Sequence, residues 1–191
     1  MLSDMQTEAV RRLFSVEEYD LMVEAGILTK EDRVELIEGE ILEMSPIGNR
    51  HGAGVDRANM LFAPLLKGRA IVRVQGAVRL SDYTKAQPDI LLLNHRQDYY
   101  AFAAPVTEDA LLVIEVADTS IRYDRGPKPA IYAKHGVREV WIEDLTTDTL
   151  LVFRDRQPGG YATALTFKAG DSVSPLAFPD LVLSFSDLFG S

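Results

Sequence analysis

The chain has 191 residues, 47% hydrophobic and 26% charged, with a formal net charge of −9 and no cysteine. That composition suits a single globular domain over 1–191, with enough apolar material for a core and none of the low hydrophobicity of disordered chains. The missing cysteines exclude a disulfide scaffold, a thiolate zinc site and a cysteine nucleophile. No apolar run approaches the ~20 residues of a spanning helix, so no membrane partner is expected. The opening stretch MLSDMQTEAVRRLFSVEEYD is too acidic and broken for a signal peptide, and a cytoplasmic location follows as the expectation.

Ser15 with Glu18 three residues on is a capping box and Gly26 a stop, so 16–25 reads as a short helix. Val34 to Met44 is two short runs around Glu38-Gly39, which predicts a β-hairpin. After Ser45-Pro46, residues Val55, Ala58, Asn59, Phe62, Leu65 and Leu66 recur at helical steps, with His51 one turn earlier on the same inward face. Pro64 kinks or shortens the end of that helix. Ile71–Leu80 alternates apolar and polar residues and reads as one strand with a bulge at Gly76. Pro88-Asp89 opens the strand ILLL, and Leu111–Val116 is apolar enough to be buried on both faces. A helix lies within 123–135, starting close to Pro129 and closing at Gly136. Glu139–Glu143 then pairs with Thr149–Arg154, and the tail ending DLVLSFSDLF docks over the core. The central order α-β-β-β-α-β, after a helix and a hairpin, predicts an α/β fold with a mixed sheet flanked by helices.

Charge is unevenly spread. Residues 1–49 hold 12 acids against 4 bases and 143–191 hold 7 against 3, leaving 13 bases against 10 acids between them. Arg122, Arg125, Lys128, Lys134 and Arg138 face only Asp124 within 122–138. Such an island is either a solvated helix face or a local polyanion contact, since field depends on nearby charge.

Two acids occur where core strands should have none. Asp89 begins PDILLL, and Glu115 sits in LLVIEVA with four apolar residues before it and two after. A buried carboxylate is paired or holds a metal. Each acid alone fits an ion pair with Arg122, Arg125 or Lys128; together on neighbouring strands they suit an oxygen-liganded Mg²⁺ or Mn²⁺ and not zinc.

These residues resemble the PD-(D/E)XK nuclease superfamily, and the chain resembles more specifically the Uma-two family of restriction-endonuclease-like proteins. The matching pieces are FSVEEYDLM, RVELIEGEILEMSP, His51 opening a helix, PDILLL, LLVIEVADTS, RYDRGPKPAIYAKHGVREVWIED and FPDLVLSFSDLF, from about Phe14 to Phe189. The lysine of the E-x-K element would stand at Ala117; the resemblance moves that role to Lys128, which a four-carbon stem on a packed helix can fill. It implies a restriction-endonuclease-like core and Mg²⁺-assisted phosphodiester hydrolysis of DNA, with Mn²⁺ as substitute. Asp89, Glu115 and the Val116 carbonyl would ligate the ion, and Lys128 would orient water or stabilise phosphate charge. Glu35 would complete the metal site or its surroundings, or is a solvent-facing strand residue. His51 would act on the leaving group or contact phosphate, or is structural. Gln75 lies where polar side chains line such sites.

His95 and His135 show no metal spacing, and His135 reads as a helix C-terminal residue. Tyr132 and Trp141 read as core. Tyr99-Tyr100 forms a loop pair that either packs or stacks on bases. No Walker loop, GxGxxG or GxSxG occurs. The alternatives to an endonuclease are a nuclease-fold binding or regulatory module that no longer cuts and a hydrolase of small phosphoesters. Homodimer formation is compatible with any of these.

Overall fold

The structure is a computed structural model that describes residues 10–29, 31–118 and 126–190. Helix α1 (Val16–Glu24) begins at the expected capping box: Glu18 donates its N–H to Ser15 Oγ at 3.2 Å, and Ser15 donates its N–H to Glu18 Oε2 at 3.0 Å. Two backbone donors without helical partners are satisfied in this way. β1 (Val34–Ile37) and β2 (Glu40–Glu43) form the expected hairpin, and Glu38 and Gly39 both adopt positive φ at 51° and 82°. That geometry matches the twist of a two-residue turn. β4 (Val78–Ser81) and β5 (Thr84–Ala86) complete an antiparallel sheet in the order β2-β1-β5-β4.

The main sheet contains β3 (Ala70–Val74), β6 (Ile90–Asn94), β7 (Ala110–Ala117), β8 (Val140–Asp144), β9 (Thr149–Gln157) and β10 (Gly160–Phe167). Its order is β10-β9-β8-β7-β6-β3, with β7 and β8 parallel and the other pairs antiparallel. The parallel pair is the place where a crossover helix is required, and α3 (Pro127–Lys134) lies between β7 and β8 in the chain. The mixed sheet flanked by helices is the architecture expected from sequence.

Apolar side chains on the two faces of the sheet enter different clusters. On one face, Val55, Ala58 and Phe62 of α2 (Asn49–Leu65) pack against Ile90, Leu112, Ile114, Val116 and Trp141. The tail joins this cluster through Val173, Phe178, Leu183 and Leu188, so the docking expected of it is observed. It does so as β11 (Ser172–Val173), β12 (Leu183–Ser184) and the short α4 (Phe185–Phe189). On the other face, Leu91, Val113, Ala117 and Ile142 meet Tyr132 of α3 and Ile37, Val78 and Ala86 of the smaller sheet.

One reading is corrected. Ile71–Leu80 is two strands in different sheets, because Gln75 turns the chain at φ 47° and its N–H goes to the Asp89 carbonyl at 2.8 Å. The alternating pattern continues across this corner, so periodicity alone joins the halves. α3 begins at Pro127, close to Pro129 as expected, and both prolines fit its first turn, where backbone donors need no helical acceptor. Pro64 is the penultimate residue of α2 and ends the helix.

Two close-packed features carry predictions. A Cβ on Gly54 of α2 would lie 2.7 Å from Val116 Cγ1, so glycine permits the helix to approach β7 closely. Gly54→Ala is expected to lower stability by about 1–3 kcal/mol despite the gain in helix propensity. Chemical denaturation should show much of that loss recovered when Val116→Ala is added; simple additivity would remove the contact as the cause.

The second feature is Glu143 on β8. It is fully buried, and neither carboxylate oxygen has a hydrogen-bond partner among the described residues. Glu139 on the same strand's approach is as buried but accepts from Trp141 Nε1 at 2.8 Å and Arg154 Nε at 2.7 Å. Burial pushes the Glu143 carboxyl up to about 8, with Asp89 adding to the rise and Arg57 opposing it. The folded state therefore holds a proton that the unfolded chain releases near 4.5, so stability falls as pH rises through that window. Urea denaturation at roughly pH 5 and pH 8 should show this decline, on the order of a few kcal/mol, flattened in Glu143→Gln. Equal declines in the two proteins would contradict it.

Candidate active site

The ends of β6 and β7 define the site. Ile90 pairs with Ile114, and one step further the same register sets Asp89 opposite Glu115. Beyond this last pair the Val116 N–H needs an acceptor, and Asp89 Oδ2 supplies it at 2.9 Å. Asp89 thus caps the sheet edge with its own carboxylate. The same oxygen lies 3.0 Å from His51 Nε2 in the first turn of α2, and Gln75 Nε2 approaches Asp89 Oδ1 at 3.4 Å. The hydrogen bond to Asp89 raises the His51 pKa above its ordinary value against the opposing effect of burial. The charged imidazolium is favoured accordingly and donates to the carboxylate.

Glu115 is held by α3. Lys128 Nζ donates to Glu115 Oε1 at 3.0 Å and Tyr132 OH donates to the same oxygen at 2.6 Å. Lys128 and Tyr132 are four residues apart on α3, which places them on one helix face. Glu35 of β1 lies 3.8 Å from Lys128 Nζ through Oε1, and its Oε2 accepts the Gln87 N–H at 3.2 Å. Glu35, Glu115 and Lys128 are 2%, 3% and 7% exposed. Charges so deeply buried require one another, because an isolated one carries a desolvation cost of several kcal/mol.

Asp89, Glu115, Lys128, His51 and Glu35 are therefore gathered in one neighbourhood, along with Gln75 and the backbone of Val116. Glu35 is a buried partner of Lys128 and not a solvent-facing strand residue. Tyr132 and Gln87 belong to the constellation although the sequence reading placed Tyr132 simply in the core; its spacing from Lys128 was the available signal. Trp141 is core, as expected. His135 caps α3 but turns its ring to Glu38, with Nε2 2.5 Å from Oε1.

The basic island does not form one free patch: Lys128 is buried on Glu115, and Lys134 pairs with Glu38. Arg122, Asp124 and Arg125 lie outside the described residues. A cavity of about 710 Å³ on another side of α3, lined by Ala130, Ile131, Lys134, Arg156 and Pro158, contains none of the clustered site residues.

The donor set is all hard oxygen: Asp89 and Glu115 at adjacent strand ends, with the Val116 carbonyl beside them. Asp89, Glu115 and Glu35 bring three carboxylates into this network, a ligand type that suits a hard cation. Among the described residues no three His, Asp or Glu side chains gather as a complete metal cage. Mg²⁺ keeps several waters and takes one or two carboxylates together with phosphate oxygens, so Asp89 and Glu115 are the residues that could hold one. No helix among the described residues is long and apolar enough to cross a membrane.

Comparison with known proteins agrees with this fold. A crystal structure from Anabaena variabilis ATCC 29413, described as a "putative nuclease belonging to DUF820", superposes with a TM-score of 0.71 at 20% identity. The match covers 93% of this chain and 98% of that one, and shows a shared fold. No curated protein matches the chain. The model of the Uma2 family, described as "Putative restriction endonuclease", matches residues 16–186, and the chain belongs to that family.

Proposed function

We propose that the protein is a metal-dependent endonuclease that hydrolyses phosphodiester bonds, with DNA as substrate. The observation that carries this reading is that Asp89 holds the N–H of Val116, the residue after Glu115, while Lys128 lies 3.0 Å from Glu115. The helix-borne ammonium reaches the acid that a lysine at position 117 would otherwise neighbour. Family membership and the shared fold support the same reading.

Asp89, Glu115 and the Val116 carbonyl would hold Mg²⁺ or Mn²⁺, which would polarise the phosphate and acidify an attacking water. Lys128 presents a positive charge beside Glu115, positioned to orient that water or to stabilise charge developing on the phosphoryl oxygens. Tyr132 and Glu35 fix the lysine and its acid in place. His51, whose pKa is raised by the hydrogen bond to Asp89, would supply a proton to a departing oxygen.

Incubation of plasmid and oligonucleotide substrates with Mg²⁺ or Mn²⁺ tests the proposal. Asp89→Ala and Glu115→Ala should each abolish cleavage, and Tyr132→Phe should lower it roughly tenfold while preserving the fold. Wild-type activity equal to that of both alanine variants would overturn the reading. Magnesium-independent binding without cleavage would instead support a module that no longer cuts. Turnover of an aryl phosphate alone would indicate a small-phosphoester hydrolase.

A further inference from the structure

Helix α3 carries apolar residues outside its buried face. Lys128, Pro129 and Tyr132 are buried on the inner side. Pro127, Ala130, Ile131 and Lys134 recur at steps of three and four residues on the other side, and all but the lysine are apolar. An outward helix face is ordinarily polar, so this one is suited to a cover. It forms one wall of the cavity of about 710 Å³, a size that drug-sized ligands fill. Pro158 and Gly159, in the turn between β9 and β10, line the same space. So do Arg156 at the end of β9 and Glu38 in the β1–β2 turn. Three separate elements thus contribute to a concave, mostly apolar lining with a few polar groups, the usual form of a small-molecule site.

The charges on this lining favour an anion. Glu38 is already claimed by two basic side chains: Lys134 Nζ donates to its Oε2, and His135 Nε2 lies 2.5 Å from its Oε1. Arg156 has no acid partner among the described residues. The carboxylate bordering the cavity is therefore taken, and a guanidinium is left to bind. A guanidinium presents paired N–H donors in a rigid plane, a geometry that matches a carboxylate in particular.

We propose that this cavity binds a small carboxylic acid with an apolar body, its carboxylate on Arg156 and its body against Pro127, Ala130, Ile131 and Pro158. The site is distinct from the acid pair, because Lys128 and Tyr132 serve Glu115 from the inner side of the same helix. Binding here does not depend on the nuclease reading.

Titration of the isotope-labelled full chain with 4-phenylbutyrate in EDTA, followed through its amide NMR shifts, tests the site. 4-Phenylbutyramide supplies the same body without the charge. The acid should shift the amides of Ala130, Ile131 and Gly159 and bind roughly tenfold more tightly than the uncharged compound, as a charge-assisted hydrogen bond provides. Arg156→Gln should remove that preference while leaving the uncharged compound's affinity as it was. Ala130→Trp, which fills the cavity from an exposed helix position, should abolish binding of both compounds while the rest of the spectrum stays in place. Shifts absent from these amides, equal affinity for the two compounds, or a preference kept in Arg156→Gln would overturn the proposal. Sedimentation velocity of the ligand-free chain is expected to give the same species for wild type and Ala130→Trp. A dimer that Ala130→Trp dissociates would make a second copy the occupant, and would overturn it too.

Discussion

A lysine ammonium held away from water between two carboxylates is the interaction on which the rest depends. Lys128 comes from α3, Glu115 from β7 and Glu35 from the smaller sheet, so one buried charge cluster ties three separate elements together. Breaking such a cluster by removing one partner costs about 3–5 kcal/mol, because the remaining charge is left desolvated. Tyr132 adds a hydroxyl to the same Glu115 oxygen and limits where α3 can sit on the sheet. The cluster fixes the acid that the chemistry requires and sets the helix that carries its cation.

Asp89 performs the matching task on the other side of the sheet edge. Its carboxylate closes the ladder at Val116, receives His51 from α2 and is approached by Gln75 from the β3–β4 corner. Each of those contacts depends on a local feature: the close approach of α2 at Gly54, the left-handed Gln75, and the end of β6–β7 pairing. Asp89 and Glu115 therefore lie next to each other at the end of the ladder, one contacted from α2 and the other from α3. A histidine on one acid and an ammonium on the other let both carboxylates be held away from water.

Much of this was legible in the chain because the signals are local. The Ser15–Glu18 capping box, the Glu38-Gly39 hairpin and the inward face of α2 follow from propensity and spacing. Asp89 and Glu115 stand out as acids in apolar runs, and motifs spread from about Phe14 to Phe189 carry the family resemblance. Other features depend on where sheets end. The Ile71–Leu80 alternation passes unbroken through a corner at which the chain changes sheets, since period two does not encode which strand is the partner. Glu143 ends the run EVWIE, and nothing in its spacing tells that it is fully buried. Counting charges made Lys128 and Lys134 part of a basic island, whereas Glu115 and Glu38 had already claimed them across long stretches of sequence.

The most direct test of the central claim is an anomalous difference map from a crystal of the protein soaked in Mn²⁺. The expected result is a single strong peak between the carboxylates of Asp89 and Glu115, with Lys128 still on Glu115. A map with no peak there, while Lys128 and Glu115 remain in contact, would contradict the assignment of this acid pair as a cation site.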